Sequence, residues 1–150
     1  MTVIAAWHDY VRLRDPALLD ALIADEAVFE SPAVHRPQEG KAITIAYLTA
    51  AMEVLGSGDF RYLEEWHGER SAVLEFATVL DGLTVNGVDI IRWNAAGQIV
   101  HFKVMVRPVK ALNKVIEAMA AALQQQAADA RVDGINVKLL TLSPWGERAG

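Results

Sequence analysis

Helices gathered on one face of a mostly antiparallel sheet, an α+β arrangement, is the fold class this sequence predicts. Three observations predict it. The elements run helix, helix, strand, helix, four long strands and a final helix. Asp81-Gly82 sits between two apolar runs and is a strong two-residue hairpin signal. A second pair of runs, rich in Val, Ile, Phe and Trp, is broken at Asn94-Ala95-Ala96-Gly97, where Gly97 can take the left-handed turn conformation. A strongly curved sheet with helices over its open side leaves a concave site of the kind that holds small ligands.

The first helix is expected to start from a Thr2 cap, carry Ile4, Trp7 and Val11 at helical spacing, and end near Arg14. Asp15-Pro16, a capping acid followed by proline in the first turn, opens a second short helix to about Ala24. Ala27 to Ser31 reads as a short strand, and Pro32 and Pro37 bracket a loop that disfavours helix. After Gly40, the residues Ile43, Tyr47, Ala50, Ala51 and Val54 mark one face of a third helix, which Gly56-Ser57-Gly58 stops.

From Phe60 the period changes from helix to strand. Phe60, Tyr62, Glu64 and Trp66 alternate with Arg61, Leu63, Glu65 and His67, and a turn at His67-Gly68-Glu69 leads into Ser71 to Leu80. If Asp81-Gly82 is the next turn, Leu80 faces Leu83, Phe76 faces Gly87 and Leu74 faces Asp89. Pro108 fits the first turn of a last helix with Leu112, Val115, Met119 and Leu123, which is expected to fade through Gln124 to Gln126. One domain is therefore expected over residues 1–127, followed by a tail, residues 128–150. In that tail Ile135 to Leu142 could add a strand, and Pro144-Trp145-Gly146 could dock on this subunit or a neighbour.

At 150 residues, 53% of them apolar, the chain can bury one core but not two comfortable ones. A net charge of -5 without a Lys/Arg cluster argues against nucleic acid as a partner. The absence of cysteine excludes disulfides, thiolate metal sites and a cysteine nucleophile. The expectation is a cytoplasmic protein with no membrane association, since no secretory signal and no apolar run of spanning length is present. His8, His35, His67 and His101 lack metal-ligand spacing, and no phosphate-binding glycine motif occurs, so neither a metal nor another cofactor is expected.

Asp89 is the residue that asks for chemistry. It lies between Val88 and Ile90 in a strand, where burial makes a carboxylate costly unless it has a partner, a proton or a job. Register decides between two readings. A three-residue turn with a bulge at Gly97 places Lys103 opposite it as an ion-pair partner, and a slip of one residue swaps the face and leaves the acid in a pocket. Glu75 is expected on the outward face with Arg92 as its partner, and Ser31 either contacts a ligand or caps the Pro32 turn.

The run Ala24-Asp25-Glu26-Ala27-Val28-Phe29-Glu30-Ser31-Pro32, Gly40 opening a helix with Tyr47, and Gly87-Val88-Asp89-Ile90-Ile91-Arg92-Trp93 before Gly97-Gln98-Ile99 resemble the nuclear transport factor 2-like superfamily. The pattern is most like its SnoaL-like and ketosteroid isomerase members and spans about Trp7 to Pro108. The resemblance implies a cone: a strongly curved sheet whose concave face is covered by the N-terminal helices, with an additional C-terminal helix. It implies that Asp89 stands where ketosteroid isomerases keep a protonated acid that donates to a developing oxyanion. Tyr10 is the nearest match to their oxyanion-hole tyrosine. Ser31 stands where their general base, an Asp, would be, and a serine hydroxyl is far too weak for that task. No equivalent of the Asp-Arg-Asp set of limonene epoxide hydrolases is found.

These residues imply a cofactor-independent small-molecule pocket protein, an isomerase or cyclase for a hydrophobic carbonyl compound. Asp89 would polarise or donate to the carbonyl oxygen, with Tyr10 or Tyr47 as a second donor and His35 as the stand-in proton carrier. Trp7, Phe29, Ser31 and Tyr47 would line the pocket together with Phe76, Phe102, Val104 and Val106. The alternative is a non-catalytic ligand-binding or dimerisation module on the same fold. A homodimer is expected through the outer sheet face, where Val88 and Ile90 point away from the pocket.

Overall fold

A computed structural model describes residues 1–132, and the expected tail strand and the Pro144-Trp145-Gly146 dock lie outside the described residues. The elements are α1 (Val3–Leu13), α2 (Pro16–Leu22), β1 (Ile23–Glu30), β2 (Gln38–Glu39), α3 (Lys41–Leu55), β3 (Arg61–His67), β4 (Ser71–Leu80), β5 (Leu83–Trp93), β6 (Ile99–Arg107) and α4 (Val109–Val132). The six strands form one curved, unclosed sheet in the order β2-β1-β6-β5-β4-β3. All neighbours are antiparallel except β1 and β6, which run parallel.

The helix starts follow from their caps. Thr2 accepts a hydrogen bond from the Ala5 N–H and Asp15 from the Ala17 N–H, each satisfying a donor that the first turn leaves unpaired. Arg14 takes the left-handed conformation at the end of α1, with φ of 58°. Its guanidinium donates to the Met52 and Gly56 carbonyls, so the end of α1 is pinned to the end of α3. Gly40, with φ of 112°, leads into α3, and its N–H donates to the Ala27 carbonyl on β1.

Some boundaries differ from the sequence-based expectation. Strand β1 begins at Ile23, well before Ala27, because the fully buried Ile23 pairs with Ile99 and a bulge separates it from the Val28 pairing. Strand β2 is two residues long, too short to leave an alternation pattern. Helix α4 does not fade at the glutamines. Gln126 donates its amide to the Ala46 carbonyl of α3, and Ala127 and Ala130 are buried beyond it. No described helix is long and apolar enough to cross a membrane.

The core lies between the concave sheet face and the helices. Leu74, Phe76, Ile91 and Phe102 are fully buried there, facing Trp7, Leu48 and Ala50 from the helices. Helix α3 is buried on almost every side because the sheet packs on one flank and α4 on the other.

Candidate functional site

The first hairpin takes the register that Asp81-Gly82 implies: Leu80 pairs with Leu83, Phe76 with Gly87 and Leu74 with Asp89. A two-residue turn leaves no slack for any other pairing. The second hairpin places Val104 opposite Asp89 and Lys103 opposite Ile90. A bulge between the Arg92 and Trp93 pairings absorbs the extra turn residue near the Gly97 end, so Phe102, Val104 and Val106 stay on the face of Asp89. Lys103 points the other way, with its ammonium 3.5 Å from Glu30. Glu75 does not pair with Arg92; it accepts from the Asn86 amide instead.

Asp89 is thus the only buried charged residue among the described ones, at 6% exposure. Its Oδ2 accepts a 2.6 Å hydrogen bond from the Tyr62 hydroxyl, and that hydroxyl in turn accepts from the Trp7 indole N–H at 2.9 Å. Burial pushes the Asp89 carboxyl up to about 7, and the Tyr62 bond offsets only part of that rise. Tyr62 stays a phenol, since burial first and the neighbouring carboxylate second hold it well above its ordinary value. A carboxyl poised near 7 can donate a proton or a hydrogen bond in one form and accept in the other.

Tyr62 is the site residue that the sequence reading missed. Its signal was a hydroxyl in line with Phe60 on an alternating strand. Tyr62 pairs with Phe76 and therefore shares the concave face, with Phe60 edge-on to its ring at 5.1 Å. Tyr10, the expected partner, is one turn further along α1 than Trp7 and meets α3 at Thr49. Burial raises its pKa. His35 is exposed on the loop after β1, and Ser31 accepts from the Ala33 N–H at 3.0 Å, capping the Pro32 turn.

A bulge in β3 between Tyr62 and Glu64 reverses the expected alternation. Glu65 and His67, not Glu64 and Trp66, share the face of Tyr62. Glu65 bridges His8 and His67 at the rim, with the His8 ring edge-on to Tyr62 at 5.2 Å. Burial opposes ionisation of Glu65, yet the bonds from His67 and His8 hold its pKa below the ordinary value. Among the described residues, no three His, Asp or Glu side chains converge to hold a metal ion.

Around the acid the proposed wall residues form an aromatic cluster. Trp7 meets Phe102 at 4.9 Å and Phe29 stacks on Tyr47 at 5.1 Å, while Phe76 stacks on Phe60 at 5.4 Å. Beside it lies an apolar chamber between sheet, α3 and α4, lined by Phe29, Leu55, Val104, Val106, Val115 and Met119 among others. Its free space is about 30 Å³. An open groove of about 480 Å³ adjoins it, sharing the Ser31 to Ala33 turn, Val104 and Val106, and carrying Glu30, His35 and Lys103. Asp89 itself lines neither space.

The family model of the SnoaL-like domain matches residues 4–102, most of the chain and all of the Asp89 constellation. The chain belongs to the SnoaL-like family. This SnoaL-like protein is similar to a steroid delta-isomerase from Pseudomonas aeruginosa at 34% identity, with 84% of this chain and 92% of that chain covered and a TM-score of 0.79. It is also similar to an uncharacterised bacterial protein with a cystatin-like fold from Silicibacter pomeroyi, at 28% identity, coverage of 88% and 92%, and a TM-score of 0.77. The epoxide hydrolase/cyclase-like enzyme SalBIII, of pyran ring formation in salinomycin, shares the fold at 17% identity, coverage of 70% and 88%, and a TM-score of 0.57. No curated protein matches. These likenesses place the SnoaL-like protein in the nuclear transport factor 2-like cone fold.

Proposed function

We propose that this protein is a cofactor-independent isomerase or cyclase that acts on a hydrophobic carbonyl compound held in the cone, working in the cytoplasm. The observation that carries this is the one carboxyl buried among the described residues, raised to about 7 and held by a phenol. A proton leaves the carbon next to the carbonyl for His35 of the adjoining groove, and protonated Asp89 donates a hydrogen bond to the carbonyl oxygen as negative charge develops on it, in a water-poor site where such a donor counts most. Tyr62 and Trp7 position it. The similarity to a steroid delta-isomerase supports this class of chemistry.

Ring ketones with an adjacent carbon–carbon double bond are the substrates to screen, with wild type and Asp89→Ala compared. Wild type should turn one over, and Asp89→Ala should lose about 100-fold or more in kcat, the usual cost of removing an oxyanion donor. Tyr62→Phe should shift the pH profile upward, because the hydrogen bond that lowers the Asp89 pKa is gone. Unchanged kcat in Asp89→Ala would reject the assignment.

A second reading, a non-catalytic ligand-binding module, is favoured by one observation: Ser31 stands where the resemblance calls for a carboxylate base, and its hydroxyl is engaged by Ala33. Ligand binding without turnover in wild type decides for it.

We infer a homodimer through the convex sheet face. Met105 and Trp66 are each 51% exposed, and Val88 and Ile90 lie half-buried on the same side. Light scattering should give twice the 16.4 kDa chain mass, falling to one chain in Met105→Lys. A wild-type mass of one chain would remove the inference.

A further inference from the structure

The roof of the apolar chamber is α4, and α4 lies beyond the part of the chain that the SnoaL-like model matches. Val115 and Met119 are buried against the chamber, with Ile116 half-buried beside them. The free space left between roof and sheet is about 30 Å³, well below the roughly 150 Å³ of a cavity that takes a benzene ring. No organic ligand fits unless a side chain moves.

The wall residues are not equally able to move. Val104, Val106, Val115 and Ile116 are β-branched and stiff at their first torsion. Phe29 is stacked between Tyr47 and Phe102. Met119 is unbranched, with three rotatable bonds, and adapts its shape at little cost. Vacating the space of one large aliphatic side chain opens about 150 Å³, enough for a benzene ring. Moving the whole helix is a larger change, because the Gln126 bond to the Ala46 carbonyl and the Lys114–Asp81 pair at 3.9 Å tie α4 to α3 and to the turn between β4 and β5.

We propose that α4 sets the size of the compound the cone admits, with Met119 as the specificity-determining residue that limits it to a single ring or its equivalent. The compound enters from the open groove past the Ser31 to Ala33 turn and seats its apolar body where the Met119 side chain now lies. This rests on the pocket reading above and narrows it to monocyclic carbonyl compounds, excluding fused tetracyclic ones.

The test measures dissociation constants of 2-cyclohexenone, a bicyclic octalone and a tetracyclic steroid enone for the full chain by calorimetry. Wild type should bind cyclohexenone at least tenfold more tightly than the steroid. Met119→Ala should gain at least tenfold for the octalone. Leu123→Ala, which removes a buried α4 residue that does not line the chamber, should gain nothing. If Met119→Ala fails to fold, Ile116→Ala, half-buried on the same wall, should show the same gain. Wild type binding the steroid as tightly as cyclohexenone overturns the size limit and leaves the pocket reading standing. An equal gain in Leu123→Ala also overturns it. Failure of every ketone to bind wild type and variants overturns both.

Discussion

Asp89→Asn should flatten the dependence of stability on pH between about 4 and 7. In the folded protein the carboxyl titrates near 7, against an ordinary value of 3.8. Between those values the folded state holds a proton that the unfolded chain has released. The contribution of Asp89 to stability is therefore fully present below the unfolded pKa and is lost as pH rises through the folded one. At about 1.4 kcal/mol per pH unit of separation, the loss is about 4 kcal/mol, a large share of what holds a domain of this size together. At 6% exposure, solvent screens little of it. Urea unfolding across pH 4 to 8 should show wild type losing about 4 kcal/mol more than Asp89→Asn. Parallel curves for the two proteins would show that the carboxyl is not desolvated.

Gly87→Ala should destabilise the fold by about 3 kcal/mol, the upper part of the range for overpacking a core. A methyl group there would lie 2.4 Å from the Met105 carbonyl oxygen and 2.5 Å from the Phe76 ring. The second contact is to Cζ, on the axis of ring rotation, so turning the ring does not relieve it, and the first is to backbone, so β5 and β6 must separate locally. Alanine in a strand would otherwise gain about 0.5–1 kcal/mol over glycine, so the sign of the measured change decides between the two effects. A shift of the urea midpoint to higher concentration would reject the steric account. The effect reaches the site as well, because Phe76 and Asp89 share the concave face on adjoining strands, with Leu74 opposite the acid.

The difference between what the sequence told and what it hid is visible in the two hairpins. Asp81-Gly82 leaves one register, and Asp89 falls inward as read. The longer turn at Asn94 to Gly97 allows two registers that differ by one residue. The choice rests on a bulge next to Trp93 that no residue type announces. The bulge in β3 is hidden in the same way, and it turns Glu65 and His67 inward against a clean alternation. Tyr10 follows from analogy of position on a helix, whereas the hydroxyl that bonds the acid is that of Tyr62 on β3. Which hydroxyl reaches the acid depends on the rotation of α1 over a curved sheet, and Trp7 occupies that direction. The long reach of α4 was concealed by three glutamines, one of which bonds back to α3 instead of ending the helix.

The one parallel pairing among the described strands, β1 with β6, joins Phe29 to Phe102 across most of the described chain. On the ribosome, β1 emerges long before the strand it needs has been made. The meander from β3 to β6 can zip up through local turns, whereas β1 must wait, with its apolar residues unshielded, for a loop of great length to close. Newly made chains are thus most open to aggregation in the interval before β6 leaves the exit tunnel.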